Sequence, residues 1–246
     1  MKLASPSTSF QPSSHRNSKQ SHRRAWLALA LIVPVASLGT ILSMFVAPGP
    51  IGQIAIVGCG LWLFACPLLW TIWGDRQIPS LRKTFRPKGI ALGVVLGGIM
   101  FGAIMALYFY LGKPLLNVAE IRAKAQLIGF NSPVKLVLAG TYVSLINALI
   151  EEYLWRWFVH RKCEDLVSKP QAVWLSAFCF TLHHIFILLA YSRDWRIVGI
   201  GTLAVFIAGA IWARCFQVYR SVWPGYISHA AADCALVIIS WDVLFG

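Results

Sequence analysis

The chain alternates between long apolar runs and short polar segments, and this alternation predicts its architecture. A transmembrane helix needs about 20 consecutive, mostly apolar residues. Seven stretches approach or exceed that length: Ala25–Ala47, Ile51–Trp73, Gly89–Leu111, Val134–Val159, Gln171–Tyr191, Ile197–Cys215 and Gly225–Phe245. The pattern predicts an all-α fold, a polytopic transmembrane helical bundle of about seven spans, with six and eight as the limits.

The composition agrees with a membrane protein and excludes several other classes. Hydrophobic residues make up 58% of the chain and charged residues 13%, whereas soluble domains are about 25% charged. The six cysteines are scattered and form no CxxC pair, so they are interpreted as small core residues rather than as a disulfide or zinc framework. The sequence contains neither a P-loop nor a dinucleotide-binding pattern.

The basic residues predict the orientation of the bundle. The net charge is +13, but the bases lie mostly in short loops beside apolar runs, so no nucleic-acid partner is expected. With the N-terminus in the cytoplasm, 15 Lys and Arg fall on the cytoplasmic side and 6 on the other. The positive-inside rule therefore predicts a cytoplasmic N-terminus, and we expect a multi-pass protein of a bacterial-type plasma membrane.

The chain divides into three predicted regions. Residues 1–24 are polar and rich in serine, which favours a disordered cytoplasmic tail; a signal peptide is the alternative, although the run that follows is too long for one. Residues 25–133 hold three spans and a connector, 112–133, that could form an interfacial helix. Residues 134–246 hold four spans and the candidate chemistry. In the third span Gly93 and Gly97, and then Gly98 and Gly102, have GxxxG spacing, which favours close helix packing within the chain.

Three residues near the end of the fourth run interrupt its apolar character. Glu151, Glu152 and Arg156 stand where a charged residue costs roughly 2.5–3.5 kcal/mol near the centre of a bilayer helix. Glu152 and Arg156 are four residues apart, so they can pair on one helix face. Glu151 points about 100° away and would be available as a base. A charged helix end at headgroup level is the alternative.

Two later spans also carry ionisable groups. The fifth contains His183 and His184, of which His183 is the less certain member of a site, and the seventh contains His229 and Asp233, four residues apart. A lone histidine on an apolar face is usually a satisfied core residue. Ionisable groups on three separate spans normally face the bundle interior and partner one another, so we expect Glu151, His184, His229 and Asp233 to meet in one cavity.

These motifs resemble those of the CAAX-protease and bacteriocin-processing family, which includes the type II CAAX prenyl proteases. The pattern is Glu-Glu-x-x-x-Arg, then Phe-x-x-x-His from Phe180, then His-x-x-x-Asp from His229, over about Val134–Phe245. The resemblance implies Glu151 as the catalytic base, with Glu152 and Arg156 as its supporting pair. It also implies that His184 and His229 position water and the oxyanion, with Asp233 beside them. Prenyl-protease members have Asn where this chain has Asp233.

The resemblance implies an intramembrane endopeptidase of glutamic type or a metalloendopeptidase. A glutamate-activated water without metal is one account, and zinc held by His184, His229 and Asp233 is the other. The expected substrate is a peptide or protein at the cytoplasmic side of the bilayer: a CAAX-like tail, prenylated or not, a leader peptide or another membrane-associated peptide. A non-catalytic scaffold or bacteriocin-immunity protein, and a proton- or ion-coupled transporter, are the alternative functions.

Overall fold

The computed structural model describes residues 13–75, 87–127, 129–130 and 132–246. All regular structure in these residues is helical, which confirms the predicted all-α class. Residues 1–12 of the predicted tail, and most of the predicted basic loop at 74–88, lie outside the described residues.

Eight helices follow one another in the described residues, and seven are long and apolar enough to cross a membrane. They are α1 (Ser13–Ile41, continued as Leu42–Val46), α2 (Pro50–Gly74), α3 (Pro87–Leu115), α4 (Val118–Leu127), α5 (Pro133–Leu166), α6 (Lys169–Tyr191), α7 (Trp195–Tyr219) and α8 (Trp223–Phe245). The seven predicted spans are confirmed, and the chain is a multi-pass membrane protein. The short helix α4 lies inside the predicted connector.

Helix α1 begins earlier than the hydrophobic pattern predicts. Its first residue is Ser13, so it includes the second half of the region predicted as a disordered tail. The difference arises because the apolar run marks only the part of a helix that lies in lipid, while backbone hydrogen bonds can continue the helix into polar sequence.

Several helices begin at residues that suit a helix start. The side chain of Ser132 accepts a hydrogen bond from the Lys135 backbone N–H (3.4 Å) ahead of α5. The side chain of Asp194 accepts one from the Arg196 N–H (2.9 Å) ahead of α7. Proline occupies the first turn of α5, α6 and α8, where its missing N–H costs nothing.

The site helix α5 departs from regular α-helical geometry twice. Its backbone is π-helical over Tyr142–Asn147 and again over Glu152–His160. The second π segment begins at the second glutamate of the motif. Wider turns of this kind are rare and frequently occur at functional sites, although α1, α2 and α3 also contain one each.

Helix α3 packs against α8 along a line of glycines. A Cβ atom on Gly93 would lie 2.9 Å from the Pro224 carbonyl oxygen, and one on Gly97 would lie 3.0 Å from the Ala231 Cβ. Gly98 and Gly102 have no neighbouring atom within 4 Å of such a Cβ. The first predicted GxxxG pair therefore packs within the chain, whereas the second faces open space.

The main apolar core lies between α1, α5, α6 and α7. Trp155 and Phe158 of α5, Phe180 of α6 and Trp212 of α7 are all nearly inaccessible, and Ile32 of α1 packs into the same cluster. The ionisable residues of α5 and α6 lie within or beside this aromatic cluster. Their positions are fixed by dense packing, because large buried side chains leave little room for rearrangement.

Candidate active site

His229 on α8 lies between the two adjacent glutamates of α5. Its Nδ1 is 3.2 Å from Glu152 Oε1, and its Nε2 is 3.7 Å from Glu151 Oε2. The two carboxylates therefore approach opposite nitrogens of one imidazole ring. Neighbouring side chains on a helix point in different directions, so Glu151 and Glu152 can reach opposite sides of the His229 ring.

Glu152 also pairs with Arg156, as the four-residue spacing predicts. Arg156 Nη2 lies 3.4 Å from Glu152 Oε1, and both side chains are inaccessible to solvent. The guanidinium carbon is 4.5 Å from the ring centroid of Phe180 and 5.3 Å from that of Trp212. Ring faces carry negative charge, so the aromatic residues help to stabilise a cation that is surrounded by apolar atoms.

The two glutamates differ in their access to solvent. The Glu151 side chain is 18% exposed, whereas that of Glu152 is 0% exposed. Asn147, one turn earlier, donates a hydrogen bond from Nδ2 to Glu151 Oε1 (3.0 Å). Of the two carboxylates, Glu151 is the one that water can reach, and Glu152 is held by its arginine and histidine partners.

Helix α8 passes very close to the Glu152 carboxylate at Gly225. A Cβ atom on Gly225 would overlap the Glu152 carboxylate. A side chain at this position would therefore displace the Glu152 carboxylate, which Arg156 and His229 contact. Gly225 is not among the predicted site residues, because it has no distinguishing sequence pattern of its own.

Both histidines of α6 belong to the site. His183 Nε2 lies 4.0 Å from Glu151 Oε1, and the centroids of the two imidazole rings are 4.0 Å apart. His184 Nδ1 is 3.1 Å from the Phe180 carbonyl oxygen, which leaves Nε2 as its nitrogen for other partners. His183, whose place in the site the sequence left open, thus lies only slightly farther from Glu151 than His229 does.

Asp233 lies one turn after His229 and approaches it from the side that Glu151 occupies. Its Oδ2 is 3.8 Å from His229 Nε2. Glu151, His229 and Asp233 therefore come together, as the sequence analysis predicts. In the structure this carboxylate stands where the prenyl-protease pattern has an amide.

Aromatic rings hold the histidines in place. Trp212 stacks on His229 with ring centroids 4.2 Å apart, and its Nε1–H donates a hydrogen bond to Ser228 Oγ (2.9 Å). Trp155 stacks on His183 with centroids 5.1 Å apart. Neither tryptophan is among the predicted site residues, because a tryptophan inside a transmembrane run has no sequence signal that separates it from an ordinary core residue.

The side chains that could hold a metal ion differ from the predicted set. Among the described residues, Glu151, His183 and His184 offer ligand atoms that all lie within 4.8 Å of one another. This group shares His184 with the predicted set of His184, His229 and Asp233, and it contains His183 and Glu151 in place of the other two. Two histidines and a glutamate are a ligand set that zinc uses in catalytic sites.

The spacing of this group is wider than a bound zinc ion requires. Ligand atoms of a tetrahedral zinc site lie about 3.4 Å apart, whereas Glu151 Oε1 lies 4.0 Å from His183 Nε2, so these side chains would have to move closer together to bind an ion. His183 is buried, and its Nδ1 has no hydrogen-bond partner in the described residues.

A column of polar side chains continues from the site along α5. After Glu152 and Arg156 come His160, which is fully buried, and then Glu164, whose Oε1 is 3.6 Å from His160 Nε2. Arg220, at the end of α7, donates two hydrogen bonds to the Glu164 carboxylate (2.6 and 2.8 Å). Four residues at successive four-residue intervals thus join the site to the end of the bundle where α5 and α7 end.

Comparison with known proteins agrees with the motif analysis. Residues 133–235 match the family model described as type II CAAX prenyl endopeptidase Rce1-like. No curated protein and no solved structure shows significant similarity to the chain. The matched region contains Glu151, His183, His184, His229 and Asp233, which the fold brings together. Over residues 133–235 the chain is therefore similar to the Rce1-like family of type II CAAX prenyl endopeptidases, as the three motifs indicate.

Proposed function

We propose that the chain is an intramembrane endopeptidase in which Glu151 activates the attacking water. One observation carries the proposal: Glu151 is a partly exposed carboxylate that faces His229 Nε2, while the adjacent Glu152 is fully buried and already paired. A general base must reach its water within hydrogen-bond distance. Of the two motif carboxylates, Glu151 meets this requirement.

The reaction needs a base, oxyanion donors and a proton for the leaving amine. In the proposed reaction Glu151 takes a proton from water, and the resulting hydroxide attacks the peptide carbonyl carbon. The C–N bond then breaks, and Glu151 returns the proton to the amine nitrogen. With a proton on both ring nitrogens, His229 donates to Glu152 from Nδ1 and to the developing oxyanion from Nε2. His184 donates to the Phe180 carbonyl oxygen from Nδ1, so it serves as the second proposed oxyanion donor in its imidazolium form, in which Nε2 also carries a proton.

The remaining motif residues are assigned supporting roles. Glu152 holds the ring of His229 through Nδ1, and Arg156 balances the charge of Glu152. Asp233 approaches the same His229 nitrogen as Glu151, so it can hold the imidazole in position for the substrate. Stacking on Trp212 fixes the plane of that ring.

The metal-free reaction is the version we propose, and a zinc-assisted one is the second candidate. Glu151, His183 and His184 are the residues that would hold the ion. When bound, zinc would polarise the substrate carbonyl and acidify a water molecule. A glutamate that serves as a zinc ligand is no longer free to act as the base. A chelator should abolish cleavage by the zinc-assisted reaction and leave the metal-free reaction unchanged.

The proposed substrate is a peptide that reaches the site from the cytoplasmic side of the membrane. The family match supports a CAAX-like tail as the substrate class, and the excess of Lys and Arg at the predicted inner face supports the orientation. In prenylated CAAX substrates the cysteine carries the lipid. A leader peptide and another membrane-associated peptide remain the alternative substrates.

The test is single-turnover cleavage by purified protein, wild type beside Glu151→Gln. The probes are a farnesylated peptide ending in a CAAX sequence, its unprenylated counterpart and a bacteriocin-type leader peptide, with products identified by mass spectrometry. Glu151→Gln keeps the size and hydrogen bonding of the side chain but removes the base, so cleavage should fall by about 10²–10⁴-fold. Glu120→Gln, which removes an exposed carboxylate on α4, is the matched control.

Each alternative function gives a different result. Unimpaired cleavage by the Glu151→Gln protein would contradict the base assignment. A non-catalytic scaffold or immunity protein would release no product from any probe and would keep its biological role in this variant. A proton-coupled transporter would lose transport instead. Loss of cleavage with a chelator, restored by zinc, would favour the metal-assisted reaction over the metal-free one.

A further inference from the structure

A second polar site lies away from the motif residues, at the end of the bundle where α1 begins and α2, α5 and α7 end. It is a cavity of about 530 Å³, which is large enough for a small ligand. The side chains and backbone that form it come from all four helices. They are Gln20, Ser21, Arg24, Thr71, Gly74, Asp75, Trp157, Phe158, Arg161, Lys162, Glu164, Asp165 and Arg220.

Exposed tryptophans place this cavity at the level of the lipid headgroups. Trp26 of α1 is 63% exposed and Trp73 of α2 is 74% exposed, and each stands within two residues of a lining residue. Tryptophan is enriched at the boundary between hydrocarbon and water. The predicted orientation makes this boundary the cytoplasmic one, where anionic lipids concentrate in many membranes.

The carboxylates of the cavity are already engaged by two of its bases. Lys162 Nζ lies 2.6 Å from Asp75 Oδ2 and 3.8 Å from Asp165 Oδ2. Arg220 donates to both oxygens of Glu164. The lining therefore contains four cations and three anions, and the internal pairs leave one positive charge in excess.

Arg24 is one of the two bases, with Arg161, that remain in the lining after these pairs are counted. Among the described residues it pairs with no carboxylate, and it donates a single long hydrogen bond, 3.4 Å from Nη1 to the Gly74 carbonyl oxygen. Ser21 stands three residues before it, on the same side of α1, and adds a hydroxyl group. Arginine is well suited to phosphate because its planar fork can donate two parallel hydrogen bonds.

The surface next to Arg24 favours a lipid over a soluble anion. Leu27 and Leu31 follow on α1 toward the membrane interior, and both are exposed. A molecule whose phosphate contacts Arg24 could lay its acyl chains along these leucines. A free phosphate has no acyl chains and would make no apolar contact with these leucines.

We propose that this cavity binds the phosphate of an anionic phospholipid headgroup through Arg24. A lipid bound in the cavity would contact the N-terminal part of α1 and the C-terminal ends of α2, α5 and α7. The ligand would also lie beside Glu164, the last residue of the polar column that leads to Glu152. The cavity is a site separate from the one where peptide hydrolysis is proposed.

The experiment measures the melting temperature of the purified full chain in dodecyl maltoside with increasing dioctanoyl phosphatidylglycerol. Dioctanoyl phosphatidylcholine, which has no net charge, tests whether binding depends on the charge of the lipid. Glycerol 3-phosphate, which has no acyl chains, tests whether the phosphate alone is enough for binding. We expect a saturable rise with phosphatidylglycerol alone, because a ligand that binds only the folded state stabilises it. Arg24→Gln should weaken the apparent affinity about fivefold, the loss expected for one basic residue beside an anionic lipid.

Arg23→Gln is the matched control, because Arg23 is also exposed but does not line the cavity. It should bind phosphatidylglycerol as the wild type does. Equal stabilisation by the two lipids, or an equal loss in both variants, would overturn the proposal. So would saturation by glycerol 3-phosphate at the same concentration. Stabilisation by a peptide with a free C-terminal carboxylate, but not by its amide or by the lipid, would assign the cavity to a peptide instead.

Discussion

Helix α8 has two neighbours that it contacts in opposite ways. Against α3, close backbone packing at Gly93 and Gly97 dominates the first half of α8, and Asp242 near its end binds Tyr108 and Lys113 away from the candidate active site. Against α5 the contact is made by ionisable side chains, with His229 between Glu151 and Glu152. Small residues give van der Waals packing in a membrane, whereas buried ionisable groups need partners and mark function. One helix therefore combines a structural face with a chemical one.

The largest effect should come from breaking the ion pair on the α5 side. Arg156→Ala leaves Glu152 buried without its cation, and the loss of one partner of a buried pair costs about 3–5 kcal/mol. We expect a large fall in melting temperature together with loss of cleavage. A variant that melts and cleaves as the wild type does would show that the pair supports neither stability nor activity.

A smaller change at the same contact should separate chemistry from stability. Gly225→Ala forces the Glu152 carboxylate to move, and a displacement of about 1 Å can cost 10²-fold in rate. We therefore expect kcat/KM to fall by about that factor while the melting temperature changes little. Gly199→Ala on α7 is the control, because no atom lies near its added methyl group. Equal activity of the two variants would contradict the placement of Glu152.

The α3 side should respond in stability alone. Gly93→Leu places a side chain against the Pro224 backbone, and overpacking of this kind typically costs about 1–3 kcal/mol. Gly98→Leu, five residues later in open space, should melt as the wild type does. The comparison is made by thermal unfolding in detergent. Equal melting temperatures for the two leucine variants would contradict the conclusion that only the first glycine pair is packed against another helix.

The smallest effect should arise outside both faces of α8, in the loop before α7. Hydrogen bonds from the Arg196 side chain and backbone N–H lower the pKa of Asp194 from 3.8 to about 2. A carboxyl group whose pKa is lower in the folded state adds stability above its ordinary pKa, and this stability is lost as the pH falls through the folded value. The difference in melting temperature between wild type and Asp194→Asn should therefore be slight at pH 7 and should disappear between about pH 4 and pH 2. A difference that stays constant over this range would show that the charge is not responsible.

The sequence predicts the spans well, because crossing hydrocarbon demands a length and an apolarity that can be read directly. It also predicts the pair of Glu152 and Arg156, since four-residue spacing survives the change to π-helical turns. The role of His183 could not be predicted, because its direction depends on stacking against Trp155. The roles of Gly225 and Trp212 could not be predicted either, because each depends on contact with a residue that is distant in the sequence. Local patterns thus report helices and near neighbours, while the site depends on packing between helices.

The polar column of α5 has a consequence for biosynthesis. A ribosome delivers α5 to the membrane before α7 and α8 exist, so Glu151, Glu152 and Arg156 must enter lipid ahead of His229 and Trp212, which later surround them. On insertion scales each such charge disfavours a lone helix by about 2.5–3.5 kcal/mol. The nascent helix therefore remains poorly anchored until its C-terminal neighbours are made. A chain truncated before residue 223 would be a substrate for membrane quality control rather than a partly active enzyme.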